Sequence, residues 1–127
     1  MSVLIICLLI AMLLPYFAKI PLGWAMAKEG RYDNAHPRAQ QARLTGLGAR
    51  ALAAHQNAFE SLILFAPAVL LVIATDTINA QSEVAAVVYL LARLAYQACY
   101  LCNLDKLRSL SWFIGIIATF WIFAQAM

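Results

Sequence analysis

Apolar residues fill four long stretches of this chain, and the polar interruptions between them define its organisation. Residues 2–27 are hydrophobic except for Lys19, long enough at 1.5 Å per residue to cross a hydrocarbon core of about 30 Å. Pro15 and Pro21 fall inside this first span and predict a bend, because each removes a backbone donor. Residues 28–49 change character, with Lys28, Glu29, Arg31, Asp33, Arg38 and Arg43 punctuated by Gly30, Asn34 and Pro37, and read as a long polar loop. A second span is predicted over 45–74 with a kink at Pro67, a third over 83–104, and a fourth over 110–126. The third and fourth are separated by a short turn at 105–108. Trp112 and Trp121 sit near the two ends of the last span, at the depth indoles prefer.

Composition agrees with this pattern. Of 127 residues, 65% are hydrophobic and only 12% charged, against about a quarter charged in soluble domains. The expected class is an all-α integral membrane protein, a single four-transmembrane-helix bundle over 1–127. A net charge of +3, with no basic soluble face, argues against nucleic acid as a partner. Bases cluster in the first loop (Lys28, Arg31, Arg38, Arg43) and the third (Lys106, Arg108), and the second has none, which orients loops one and three to the cytoplasm and both termini away from it. A secretory leader is disfavoured, since no basic residue precedes the first apolar run.

Candidate chemistry begins with a carboxylate inside the second span. Arg50, Gln56, Asn57 and Glu60 fall within an arc of roughly 120° at 100° per residue, with His55 on the other side. An ionisable group at membrane depth costs several kcal/mol unless paired or hydrated, which makes Glu60 a functional candidate. The third span supplies an answer: Arg93, Tyr96, Tyr100 and Asn103 share a face of roughly 80°. Counted from the predicted cytoplasmic ends, Glu60 and Arg93 both lie on the order of 20 Å deep, so a direct bidentate pair is expected. The same constellation would serve equally as interhelical glue. Cys99-x-x-Cys102 lies off the polar face and, like Cys7, reads as an apolar filler with no disulfide. His36 and His55 are too far apart to suggest a metal site; His55 is expected to bond a neighbouring helix, and Lys19 to reach toward the nearer interface.

Ala-His-Gln-Asn-Ala-Phe-Glu at 54–60, Arg-Leu-Ala-Tyr-Gln-Ala-Cys-Tyr at 93–100 and Leu-Arg-Ser at 107–109 resemble segments of the MAPEG family, membrane-associated proteins in eicosanoid and glutathione metabolism. Asp-Asn-Ala-His-Pro-Arg at 33–38 is similar to its bacterial members, and the likeness spans roughly 31–113. It implies a homotrimer in the bacterial inner membrane, glutathione held between adjacent subunits at the cytoplasmic end, thiol transfer, isomerisation or peroxide reduction on lipophilic small-molecule electrophiles, and membrane lipids as further partners. By this resemblance Asn57, Glu60, Arg93 and Tyr100 hold glutathione, Tyr96 stands where some members have histidine, and Arg108 and Ser109 match the pair beside the thiol. Gln56 and Ala53 stand where glutathione-using eukaryotic members carry arginines, and Arg50, one turn further toward the cytoplasm, compensates in part. Those two departures keep a non-catalytic, lipid-binding or scaffolding member as the alternative to a transferase. A transporter ranks behind both, for want of an inverted repeat.

Overall fold

The computed structural model describes residues 2–127. Five helices run in chain order: α1 (Val3–Lys28), α2 (Pro37–Ala42), α3 (Gly46–Ala74), α4 (Ala80–Leu101) and α5 (Asp105–Ala124). All but α2 are long and apolar enough to cross a membrane, giving the four spans read from the sequence, and the described residues contain no strand. Ser2 caps α1 by accepting from the Leu4 amide at 3.2 Å, and the helix then continues unbroken through Pro15 and Pro21; α3 likewise runs on through Pro67.

Small residues set how closely α1 and α3 approach. The buried edge of α1 steps through Leu4, Cys7, Ala11, Leu14, Ala18, Leu22 and Ala25, a near-heptad seam, and α3 answers with Ala51, Ala54 and Ala58. Gly48 belongs to this seam: a Cβ there would stand 3.1 Å from that of Leu44 and 3.2 Å from that of Ala25, tight enough that a neighbour would have to shift by a few tenths of an ångström. On the side away from α2, Phe65, Val69 and Val72 of α3 meet Ala86, Tyr89 and Leu90 of α4 and Ile122 of α5 in the larger apolar core. A second core of Leu22, Met26, Leu44 and Ala51 closes the α2 end.

The loop expected over 28–49 contains α2 and is tied down by a residue the sequence did not single out. Gln40, 2% exposed, donates through Nε2 to the carbonyls of Met26 (3.0 Å) and Arg31 (2.9 Å), and its Oε1 accepts from the Asp33 amide at 2.9 Å. Asp33 then turns the chain by accepting from the amides of Ala35 and His36 through Oδ1. We expect Gln40→Leu to cost roughly 1–3 kcal/mol, since it leaves backbone groups unpaired beneath the loop. Hydrogen exchange checks this: protection of the Asp33 amide should fall well before that of the α1 and α3 amides.

The two short connections depart from the predicted boundaries for an identifiable reason. At 102–104, Asn103 adopts φ +58°, the Leu104 amide donates to the Cys99 carbonyl (2.8 Å) and the Asn103 amide to that of Tyr100 (3.2 Å), which is a Schellman motif. α4 therefore stops at Leu101, Asn103 leaves the polar face assigned to it, and Cys102 is exposed at the helix end rather than buried. The predicted turn at 105–108 is instead the first turn of α5. Asp76, at φ +54°, terminates α3 in the same way, with the Thr77 amide on the Val72 carbonyl at 3.1 Å. Asn79 then caps α4 by accepting from the amides of Gln81 and Ser82, while the Ser82 hydroxyl accepts from the Asn79 amide. That box starts the helix at Ala80, three residues ahead of the expected Glu83.

Candidate functional site

With α4 ending at Leu101, Arg93 lies eight residues from that end, about 12 Å deep, whereas Glu60 lies fourteen residues into α3, about 21 Å. The helix register therefore presents Arg93 to Asn57 rather than to Glu60. Arg93 Nη2 donates to Asn57 Oδ1 at 2.6 Å and to the Asn57 carbonyl at 3.3 Å. Asn57 Nδ2 in turn donates to Glu60 Oε2 at 2.8 Å. The expected direct pair is thus corrected to a relay, guanidinium to amide to carboxylate, and the one acid–base contact within 4.0 Å among the described residues is Asp33 with His36, at 3.8 Å in the loop.

Arg93 is 1% exposed, and aromatic faces cover it. Its Cζ lies 4.1 Å from the centre of the Tyr96 ring, Tyr96 meets Tyr100 edge to face at 5.6 Å, and Arg108 Cζ lies 4.5 Å over the Tyr100 ring. Two cations and two phenols form one continuous stack from the interior of the bundle to the start of α5. Gly115 of α5 leaves room for it, with its Cβ position 3.5 Å from Arg93 Cδ. Arg50, at the opening, reaches across from α3 to donate from Nη2 to the Leu101 carbonyl at 3.4 Å, where a cation complements the C-terminus of α4. The Nε atoms of Arg50 and Arg93 are buried without a protein partner, so both guanidiniums keep donor capacity in a region of low dielectric.

Six of the nine residues singled out from the sequence meet along this path, Asn57, Glu60, Arg93, Tyr96, Tyr100 and Arg108, and Arg50 stands at its open end on the Leu101 carbonyl. Gln56 does not join them. It lies at the edge of the polar arc nearest His55, and lines a different pocket with His55, Lys19 and Arg38. Ser109 is exposed just past the first turn of α5, one position round the helix from Arg108, and no hydrogen bond joins it to the stack among the described residues. Two groups escaped notice. Tyr89, stacked on Phe65 at 3.7 Å, shares a 2.7 Å hydrogen bond with Ser61. Gln97 donates to the Ala54 carbonyl at 2.9 Å. Both stand four residues from Arg93, so helical spacing alone could have found them.

His55 does bond a neighbouring helix, through Nδ1 to the Pro15 carbonyl at 2.8 Å, and all three cysteines are free. No group of three metal-ligating side chains occurs among the described residues.

Glu60 is exposed on the outer surface of the chain although it lies midway along a membrane span. A carboxylate facing hydrocarbon is untenable, so something polar must cover this face in the membrane. No curated protein and no solved structure matches the chain significantly. A family model does, over residues 3–127, essentially the whole length. With four spanning helices and a polar path between the second and third of them, the chain belongs to the MAPEG family.

Proposed function

We propose that this protein is a glutathione-dependent transferase or peroxidase of the bacterial inner membrane, acting as a homotrimer on lipophilic electrophiles at the cytoplasmic side of a subunit interface. The observation that carries this reading is the outward-facing Asn57–Glu60 pair, anchored by buried Arg93 at a depth where only a ligand or a second subunit can satisfy it. Family membership supports glutathione-related chemistry in general.

The donor set fits this tripeptide thiol. Glutathione has two carboxylates, one ammonium and a thiol, and so needs cations, an anion and neutral donors beside an aqueous opening. Arg50 and Arg108 supply charge near that opening, Glu60 can receive the ammonium, and Asn57, Tyr96 and Tyr100 offer amide and phenol groups. A free thiol titrates near about 8.5, so at neutral pH only a few per cent is thiolate, and the thiolate is the nucleophile. Arg108, held over Tyr100, brings a permanent positive charge to stabilise it, and Ser109 is assigned as a hydroxyl donor at the same helix end.

The placement of Gln56 supports a second reading, a binding member without turnover. Its position corresponds to an arginine in glutathione-using members, yet here the side chain turns toward α1 and away from the Arg93 path. Calorimetry with glutathione on the detergent-solubilised trimer separates the two: micromolar to low-millimolar binding supports the enzyme, and no detectable heat removes glutathione from the account.

Orientation is tested independently. In a variant lacking Cys7, Cys99 and Cys102, single cysteines near Asp33 and near Asp105 should react with an impermeant thiol reagent only after the cytoplasmic face is opened. One near Gln81 should react in intact cells. Labelling of all three sites from outside would overturn the proposed topology.

A further inference from the structure

A second polar site lies between α1, α2 and α3, apart from the Arg93 path. It is a pocket of about 260 Å³ whose polar lining comes from Lys19, Tyr32, Arg38, Gln41, His55 and Gln56. Lys19 and Arg38 bring cationic heads, and no carboxylate lines the pocket. Glu60 follows Gln56 by one turn, but its carboxylate is engaged by Asn57. Asp33, which follows Tyr32 in the loop, is taken up by the amides of Ala35 and His36. Because a carbonyl only accepts, His55 Nδ1 must donate its proton to Pro15, leaving Nε2 as the ring nitrogen available to a ligand. Lys19 Nζ is 5.9 Å from the Tyr32 ring centre, a weak contact that leaves its charge uncompensated.

Depth makes this charge excess informative. At 29 residues α3 is roughly 43 Å long and overhangs a core of about 30 Å by roughly 6 Å at each end. His55, nine residues into α3, therefore lies about 7 Å below the hydrocarbon boundary, and Lys19, nine residues before the end of the shorter α1, about 9 Å below it. Lys19, an uncompensated cation at that depth, requires an anion or water, and Arg38 of α2 adds a second positive charge above it. Deeper still, the surface beside the pocket turns apolar: Phe59 forms its lower wall, Tyr16 meets Phe59 edge to face at 6.1 Å, and Ile63 follows one turn on, 69% exposed. A cationic cup above an exposed apolar track has the polarity of an anionic amphiphile standing in the leaflet on the α2 side.

We propose that this pocket binds the phosphate headgroup of an anionic glycerophospholipid, with Lys19 and Arg38 on the phosphate and one acyl chain lying along Tyr16, Phe59 and Ile63. The cup and the track together favour a lipid over a free anion, which would use only the first. Charge complementarity gives the headgroup preference; the track gives orientation.

Native mass spectrometry of the full chain, purified in nonionic detergent, tests this with phosphatidylglycerol and phosphatidylcholine as probes. Phosphatidylglycerol should be retained at least 10-fold more strongly. Lys19→Met combined with Arg38→Gln should abolish that preference, whereas the control Lys28→Met with Arg43→Gln, which removes as much charge outside the pocket, should keep it. Lys19→Arg with Arg38→Lys should preserve the preference too, which guards against misfolding of the first variant. Equal retention of the two lipids, or equal loss in the control, would overturn the proposal. So would displacement by millimolar inorganic phosphate, which would mark a soluble-anion site, or by glutathione, which would assign the pocket to the thiol site. The readout needs no turnover, so it stands or falls apart from the enzymatic reading.

Discussion

Arg93→Leu is expected to destabilise the protein by about 2–4 kcal/mol in SDS-titrated unfolding from mixed micelles, and the loss should be shared with Asn57. The substitution removes a charge-assisted donor from Asn57 Oδ1, withdraws the cation that offsets the Glu60 carboxylate, and strips the face of Tyr96 of its partner. A double-mutant cycle locates the interaction. Arg93→Leu with Asn57→Ala should show a coupling of about 1–3 kcal/mol, because the two side chains touch. Arg93→Leu with Glu60→Gln should show less than half of that, because the charge reaches Glu60 only through the amide. A larger coupling to Glu60 than to Asn57 would restore the direct pair. Coupling below about 0.5 kcal/mol in both cycles would mean that the relay contributes nothing to stability.

The largest kinetic effect is expected from Arg108→Ala. It should keep most glutathione affinity, since Arg50, Asn57, Glu60 and Tyr100 remain, but lower conjugation of a model electrophile by roughly 10- to 1,000-fold, the range of one lost charge-stabilising contact. Thiolate absorbance in the ultraviolet should fall in parallel. Unchanged absorbance and unchanged turnover would exclude Arg108 as the activator. If affinity collapses while turnover of bound glutathione persists, this arginine is a binding group instead.

The number and type of spanning helices were legible because hydrophobic run length alone decides them in a membrane. Asn57, Arg93, Tyr96 and Tyr100 were legible because polar side chains at helical spacing in an apolar background have few alternatives to one another. The identity of Arg93's partner was not. It depends on where α4 ends, and that boundary is fixed by Asn103 in a left-handed conformation, a residue that reads in sequence as one more member of the polar face. The same shift moved Arg108 from a predicted turn onto α5, and brought Ser109, which lay just ahead of the predicted span, onto it as well. Gln40 escaped for another reason: its importance comes from carbonyls on α1 and the following loop that become its partners only once the chain has folded back.

The locked turns also determine how the bundle can deform. α3, α4 and α5 are joined through 75–79 and 102–104, connections too short and too fully hydrogen-bonded to act as hinges, so these three helices should tilt together as one lever. α1 is tethered through the much longer 29–45, and below that tether its cross-links to α3 are the small-residue seam and the His55 strut on Pro15. α1 also packs against α4, so the first helix is braced on two sides of the bundle. A substitution along the α1–α3 seam would therefore shift α1 against both neighbours without touching any residue of the Arg93 path.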